Sequence, residues 1–180
     1  MAEFAAHGPS ARVDRIAARA GVNKERMYAY YGNKDELFST VLHEELSKLA
    51  AAVSLDVASA RDLGAYAGRA FDYHLAHPEL LRLLHWEGLS SAGAAATDDA
   101  ERSAYYASKV AAIAEAQAAG EVAPDPEAAR MMYAVIAVTA WWFAAPQIVA
   151  MLLGPAADDR EAQRDALVTL VRRLTSDSAA

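Results

Sequence analysis

The 180-residue sequence contains no cysteine. That absence removes disulfide frameworks, thiolate nucleophiles and Cys-ligated zinc at once, and it agrees with a reducing cytoplasm. Strand-favouring residues are also scarce, with 16 Val and Ile together against 45 Ala. Ala is the best helix former and β-branched side chains favour strands, so the chain reads as all-α. Residues 1–10, MAEFAAHGPS, have neither the charged start nor the apolar run of a secretory signal. What is plentiful is apolar surface: 54% of residues are hydrophobic and 23% charged, a globular composition with material for a real core. The length allows one domain, or a small head on a larger body.

Charge is unevenly spread. The net charge of −7 excludes a chain that binds nucleic acid over its whole surface. Between residues 10 and 34, however, six cations face two anions, a local balance of +4, whereas from residue 49 onward ten cations face seventeen anions. The basic charge is concentrated in the N-terminal piece.

Helix signals run in order from there. Ser10 is a good N-cap, Val13, Ile16, Ala17 and Ala20 share one face, and Gly21 stops the first short helix. Asn23 caps a second, with Met27, Tyr28 and Tyr31 facing inward before Gly32. Asn33 caps a third and longer one, carrying Leu37, Val41, Leu42 and Leu49. Further on, a helix stops at His77, Pro78 opens the next, residues 91–98 read as a loop, and Pro146 should kink or divide the apolar stretch after residue 126. A last helix is expected over residues 160–174. Two short helices joined through Ala20-Gly21-Val22 have the form of a helix-turn-helix, with Lys24, Glu25, Arg26, Ala29 and Tyr30 pointing outward for a major groove.

Residues 16–38, IAARAGVNKERMYAYYGNKDELF, resemble the DNA-binding signature of the tetracycline-repressor family, through Ile16, Ala17, Ala20, Gly21, Val22, Tyr28, Lys34 and Leu37. The stretches DYHLAHPELLRLLHWEGL and AIAEAQAAGEV resemble body segments of the family more weakly. The resemblance implies a homodimer with a helix-turn-helix head over residues 1–48 and a helical-bundle body for ligand binding and dimerisation over residues 49–180. It implies that Lys24, Glu25, Arg26, Tyr30 and Lys34 meet double-stranded DNA, Lys34 at a phosphate beside the N-terminal amides of its helix. The sequence departs from the pattern at Asn23, Glu25, Arg26 and Tyr31. The first helix of the head is short, with Phe4 its one large anchor, so a truncated start and a weakly held head are expected.

Residues 131–154 carry no charge and match a bilayer span in length. Pro146 and Gln147 near the middle, and the lack of flanking Lys/Arg clusters, argue against a membrane segment. A helix apolar all round needs a second cover, so Trp142 and Val149, with the stripe Leu167, Leu170, Val171 and Leu174, are expected at a dimer seam. Tyr66, His74, His85, Trp86, Tyr105, Tyr133 and Trp141 are the candidate lining of a cavity for a small apolar or aromatic ligand. An enzyme reading rests on Asp72, His74 and His77 with Glu87. It fails for want of a nucleophile elbow, a Gly-rich phosphate loop or a second His after His43-Glu44. No cofactor or metal is called for. The sequence therefore points to a cytoplasmic, ligand-responsive repressor that binds a near-palindromic operator as a homodimer. The rival reading is a helical small-molecule-binding or scaffold protein whose shortened head no longer binds DNA.

Overall fold

The computed structural model describes residues 1–90 and 99–176. Among them are eleven α-helices and no strand. The expected loop over residues 91–98 lies outside the described residues. The chain divides into two compact units, one of Met1–Ala50 with His77–Asp99, the other of Ala51–Ala76 with Ala100–Ala180.

The first unit holds α1 (Ala2–His7), α2 (Val13–Ala20), α3 (Lys24–Tyr31), most of α4 (Lys34–Ala52) and α7 (Pro78–Leu89). Six residues are too few for a stable isolated helix, so α1 must be held by packing. Phe4 supplies it: the side chain is fully buried, and its ring meets Phe38 of α4 edge-on with centroids 5.3 Å apart. The sequence left α1 with that one anchor. The structure adds α7, whose Trp86 donates its indole N–H to the Ala5 carbonyl at 3.2 Å, and whose Leu80, Leu81 and Leu83 are buried. The buried Glu3 carboxylate accepts the Arg12 amide at 3.3 Å and lies 3.9 Å from both His7 and Arg15.

The second unit holds α5 (Val57–Ala60), α6 (Leu63–Ala76), α8 (Ala100–Ala118), α9 (Ala128–Ala144), α10 (Pro146–Leu153) and α11 (Arg160–Thr175). Here α6 is central, packing most closely on α11 and next on α9. Leu63, Ala67 and Phe71 form its buried stripe, and the core continues through Ile113, Met131, Val135, Leu167 and Val171. The backbones of α6 and α11 come together at glycines: a Cβ on Gly64 would stand 2.7 Å from the Val168 carbonyl oxygen and 2.5 Å from Arg172 Cγ. Each end of the crossing is closed by an ion pair: Arg172 grips Asp62 with two nitrogens, the closer at 2.7 Å, and the Nε of Arg164 is shared between both oxygens of Asp72 at 2.8 and 2.9 Å.

Pro146 does divide the apolar stretch. It opens α10, and α9 and the segment after it meet at 82°, so among the described residues no single helix is long and apolar enough to cross a membrane. The expected seam stripe on α11 is split as well. Leu167 and Val171 are fully buried inside the unit, whereas Leu170 and Leu174, on one flank of the same stripe, are 51% and 43% exposed. The buried positions Gln163, Leu167, Val171 and Thr175 follow one i, i+4 row, and Leu170 and Leu174 lie along its edge.

Gly64→Ala forces backbone or side chain to move at the tightest point and should cost about 1–3 kcal/mol. At about 2–4 °C per kcal/mol for a chain of this size, the thermal midpoint should fall by several degrees. Gly88→Ala in α7, where a Cβ meets nothing within 4 Å, should raise stability by about 0.5–1 kcal/mol instead. Thermal melts of the two variants check both signs.

Candidate functional site

In the first unit the turn between α2 and α3 is built from local signals. Gly21 adopts φ 68°, the left-handed geometry that ends α2, and the Val22 and Gly21 amides donate to the Ala17 and Ala18 carbonyls at 3.1 and 3.3 Å. Asn23 then caps α3 by accepting the Arg26 amide at 2.7 Å, and Asn33 caps α4 by accepting the Asp35 and Glu36 amides at 2.9 and 3.0 Å. Met27 is the buried residue of α3, Val13 and Ala17 are those of α2, and the two helices pack together.

The expected groove-facing residues sit on the outer side of α3. Glu25 and Arg26 are exposed, Tyr30 is 83% exposed, and Lys24 is half-buried because it pairs with Asp14 of α2 at 2.9 Å. That contact, hydrogen bond first and charge second, raises the Lys24 pKa. An exposed pair of this kind contributes little to stability, so it orders the lysine without committing it. Tyr28, expected inside, is exposed instead, since a position one step from Met27 is turned about 100° away from the buried side. Lys34 donates to the Pro9 carbonyl at 2.6 Å and borders an open cavity of about 580 Å3 that Phe4, Phe38 and Trp86 also line.

In the second unit, Tyr66 of α6 and Tyr105 of α8 come together around a residue that the sequence reading passed over. Lys109 is 3% exposed, its Nζ donates to the Tyr66 hydroxyl at 2.7 Å, and it lies 4.3 Å from the Tyr105 ring centre and 4.8 Å from that of Tyr66. Burial pushes the Lys109 ammonium down to about 8, and burial followed by the neighbouring Tyr106 pushes Tyr105 up to about 12. Burial also lifts Tyr66 far above its usual value. The signal that could have found Lys109 was present: Tyr105, Lys109, Ala112, Ile113 and Ala116 share one face of α8, and between Tyr105 and Ala116 Lys109 is the sole charge on it.

Comparison with known proteins bears on both units. Residues 1–41 match the family model of bacterial regulatory proteins, tetR family, and residues 62–173 match that of the tetracyclin repressor-like C-terminal domain. The HTH-type transcriptional repressor SCO4008 of Streptomyces coelicolor is 41% identical over 97% of this chain and 90% of its own length. This chain belongs to the tetracycline-repressor family.

Two further relatives agree. The crystal structure of SCO4942 from Streptomyces coelicolor, described as a transcriptional regulator, superposes with a TM-score of 0.81 at 35% identity, covering 96% of this chain and 92% of that one. The HTH-type transcriptional repressor NicS of Pseudomonas putida is 32% identical over 43% of this chain and 39% of its own length. As a tetracycline-repressor relative the chain is a transcriptional regulator, with an all-α architecture of helix-turn-helix and helical body.

The structure sorts the remaining expected site residues. His74 is buried beside Phe143 in the second unit, ring centroids 5.8 Å apart. Tyr133 and Trp141 do not join Tyr66 and Tyr105: at 74% and 59% exposure they lie outside α9, whose buried side is Met131, Met132, Val135 and Thr139. Trp86 belongs to the first unit, as does the exposed His85. Trp142 and Val149 are half-buried. Asp72, one leg of the enzyme reading, is engaged by Arg164, and no group of three possible ligands that could hold a metal occurs among the described residues.

The lysine cluster sets a pH dependence. Below pH 8 the folded chain keeps Lys109 charged and desolvated, and that penalty is fully present. Between pH 8 and 10 the folded state has released this proton while the unfolded chain, near 10.5, still binds it, so stability rises with pH by on the order of 2 kcal/mol. Above pH 10 the buried Tyr66 and the half-buried Tyr105 keep protons that the unfolded chain loses, and the slope reverses. Tyr106 and Arg69 also act on the cluster and are unchanged in the control, Lys109→Met, which should flatten the 8–10 window in denaturant titrations.

Proposed function

We propose that the chain is a DNA-binding repressor that acts in the cytoplasm as a homodimer on a near-palindromic operator and is released by a small ligand. The observation that carries the DNA reading is the outer side of α3. A capped helix N-terminus, Arg26 and the exposed Tyr30 stand in the one segment where cations outnumber anions by four. Lys24 and Glu25 flank them at the start of the helix. Lys34 supports a phosphate contact: its present partner is a neutral backbone carbonyl, and a phosphate oxygen with full charge is the stronger acceptor for an ammonium.

The dimer reading is supported by apolar side chains left outside the second unit. On α10 and α11 these are Met151, Leu152, Leu170 and Leu174, and on α9 Trp141, a set large enough to need cover in water. Trp142 and Val149 stand at its edge. Leu167 and Val171 are not part of it, since the chain already buries them. The ligand reading is supported by Tyr66, His74 and Tyr105, polar-tipped aromatics inside the unit. Release of DNA requires that the ligand favour the state with lower operator affinity.

On a duplex selected by the protein from a random-sequence pool, Lys34→Ala should weaken binding to all sequences alike. It should also reduce the slope of log affinity against log salt by about 1 per subunit, whereas Arg26→Ala and Tyr30→Ala should change base preference. An unaltered salt slope in Lys34→Ala removes the phosphate contact.

Leu170→Glu places a charge on the exposed side of α11 without touching the core of the unit, so the fold should persist while a buried charge at the seam costs several kcal/mol. Sedimentation velocity should show monomers for this variant and dimers for the parent chain. A dimer as tight as before places the seam elsewhere.

A further inference from the structure

Three charged side chains are buried among the described residues, namely Glu3, Glu45 and Lys109. Glu3 has His7 and Arg15 within 4 Å, and Glu45 accepts from Lys48 at 2.6 Å. Lys109 is different. Its partners are one hydroxyl and two ring faces, and no described carboxylate forms an ion pair with it. A buried ammonium with no anion beside it is costly, and a Met or Leu on that side of α8 would pack more favourably. Perturbed groups of this kind gather at functional sites.

We propose that Lys109 is the anchor for the acidic group of the effector, an apolar aromatic monocarboxylate held with its carboxylate on Nζ and its ring among Tyr66, Tyr105 and the small apolar residues beside them. This deepens the ligand reading above and rests on it. The charge argument fixes the anion: one buried cation lacks one negative partner. The surroundings fix the rest, because Nζ faces the Tyr66 and Tyr105 rings, and the helical positions one turn away, Ala112 and Ile113 from Lys109 and Leu63 and Ala70 from Tyr66, are buried and apolar. Tyr105 is the wall that can yield. It is half-buried, and its hydroxyl donates to the Val53 carbonyl at 3.3 Å, well beyond the usual O–H···O distance of about 2.7–2.8 Å. A carboxylate takes up N–H donors of Nζ that face the rings, and the ammonium then gains the charge-assisted bond it lacks.

The test uses the full chain and matched probes: benzoate, phenylacetate and 1-naphthoate, each against its carboxamide, with tetraphenylphosphonium as a lipophilic cation. Binding is read by calorimetry and by thermal shift at pH 7. At least one acid should bind about tenfold or more tighter than its amide, a difference that Lys109→Met abolishes and Lys109→Arg largely keeps. Its affinity should fall as pH rises from 7 to 9.5, as the lysine gives up its proton. Lys109→Met should be at least as stable as the parent, which a lysine needed for folding would not allow. If amides or the phosphonium bind as well as the acids and Lys109→Met alters none of them, the anion anchor is overturned while a ligand site remains. If no probe of any charge binds, the ligand reading falls with it.

Discussion

The second unit depends on how closely α6 and α11 approach. Gly64 and Gly68 remove the side chains that would hold these helices apart, and the two Arg–Asp ion pairs, on Asp62 and Asp72, fix the register along them. Everything else on the two helices follows from that crossing. Once one side of α6 is given to α11, Tyr66 is available to meet Lys109 of α8. With Leu167 and Val171 buried inside the unit, Leu170 and Leu174 remain partly uncovered along the edge of the same stripe. A close helix contact made by small residues thus decides both which polar group is buried and which apolar groups are left uncovered.

What could be read in the sequence was whatever is determined within a few residues. Asn23, Gly21, Asn33 and Pro78 act on the amides and dihedrals next to them, so the helix-turn-helix and most helix ends were legible. Pro146 was legible for the same reason, since a missing N–H and a ring clash break a helix wherever they occur. The side of a helix that faces its own chain is another matter. In the uncharged stretch, where α9 and α10 are apolar on all sides, periodicity carries no direction, so Tyr133 and Trp141 could be assigned inward when they lie outside. The α11 stripe was a true stripe, but its spacing does not say whether the partner is α6 or a second subunit. Lys109 was overlooked for the opposite reason: a lone lysine is ordinarily a solvated one, and only its neighbours on α8 mark the exception.

Electrostatics divides the molecule by task. The basic charge near α3 is held in place by weak, exposed contacts such as Lys24 with Asp14, which cost little to rearrange when a stronger anion arrives. The acidic second unit engages two of its arginines, Arg164 and Arg172, with Asp72 and Asp62, so these cations are not offered to a polyanion. A net-negative protein can in this way present a local positive surface without losing solubility.

The first unit is assembled from two separate lengths of chain, and this bears on the order in which it can form. The hydrogen bond from Trp86 to the Ala5 carbonyl closes a loop of 81 residues, and Phe4 shares its surroundings with a helix that begins only at Pro78. Contacts of such separation are slow to form, because the intervening chain must be confined before they stabilise anything. During synthesis α2 and α3 emerge soon after α1, but α1 cannot be clamped until α7 has left the ribosome. A segment made before α2 and α3 is thus fixed after them, and a fragment that stops after α4 never acquires that clamp.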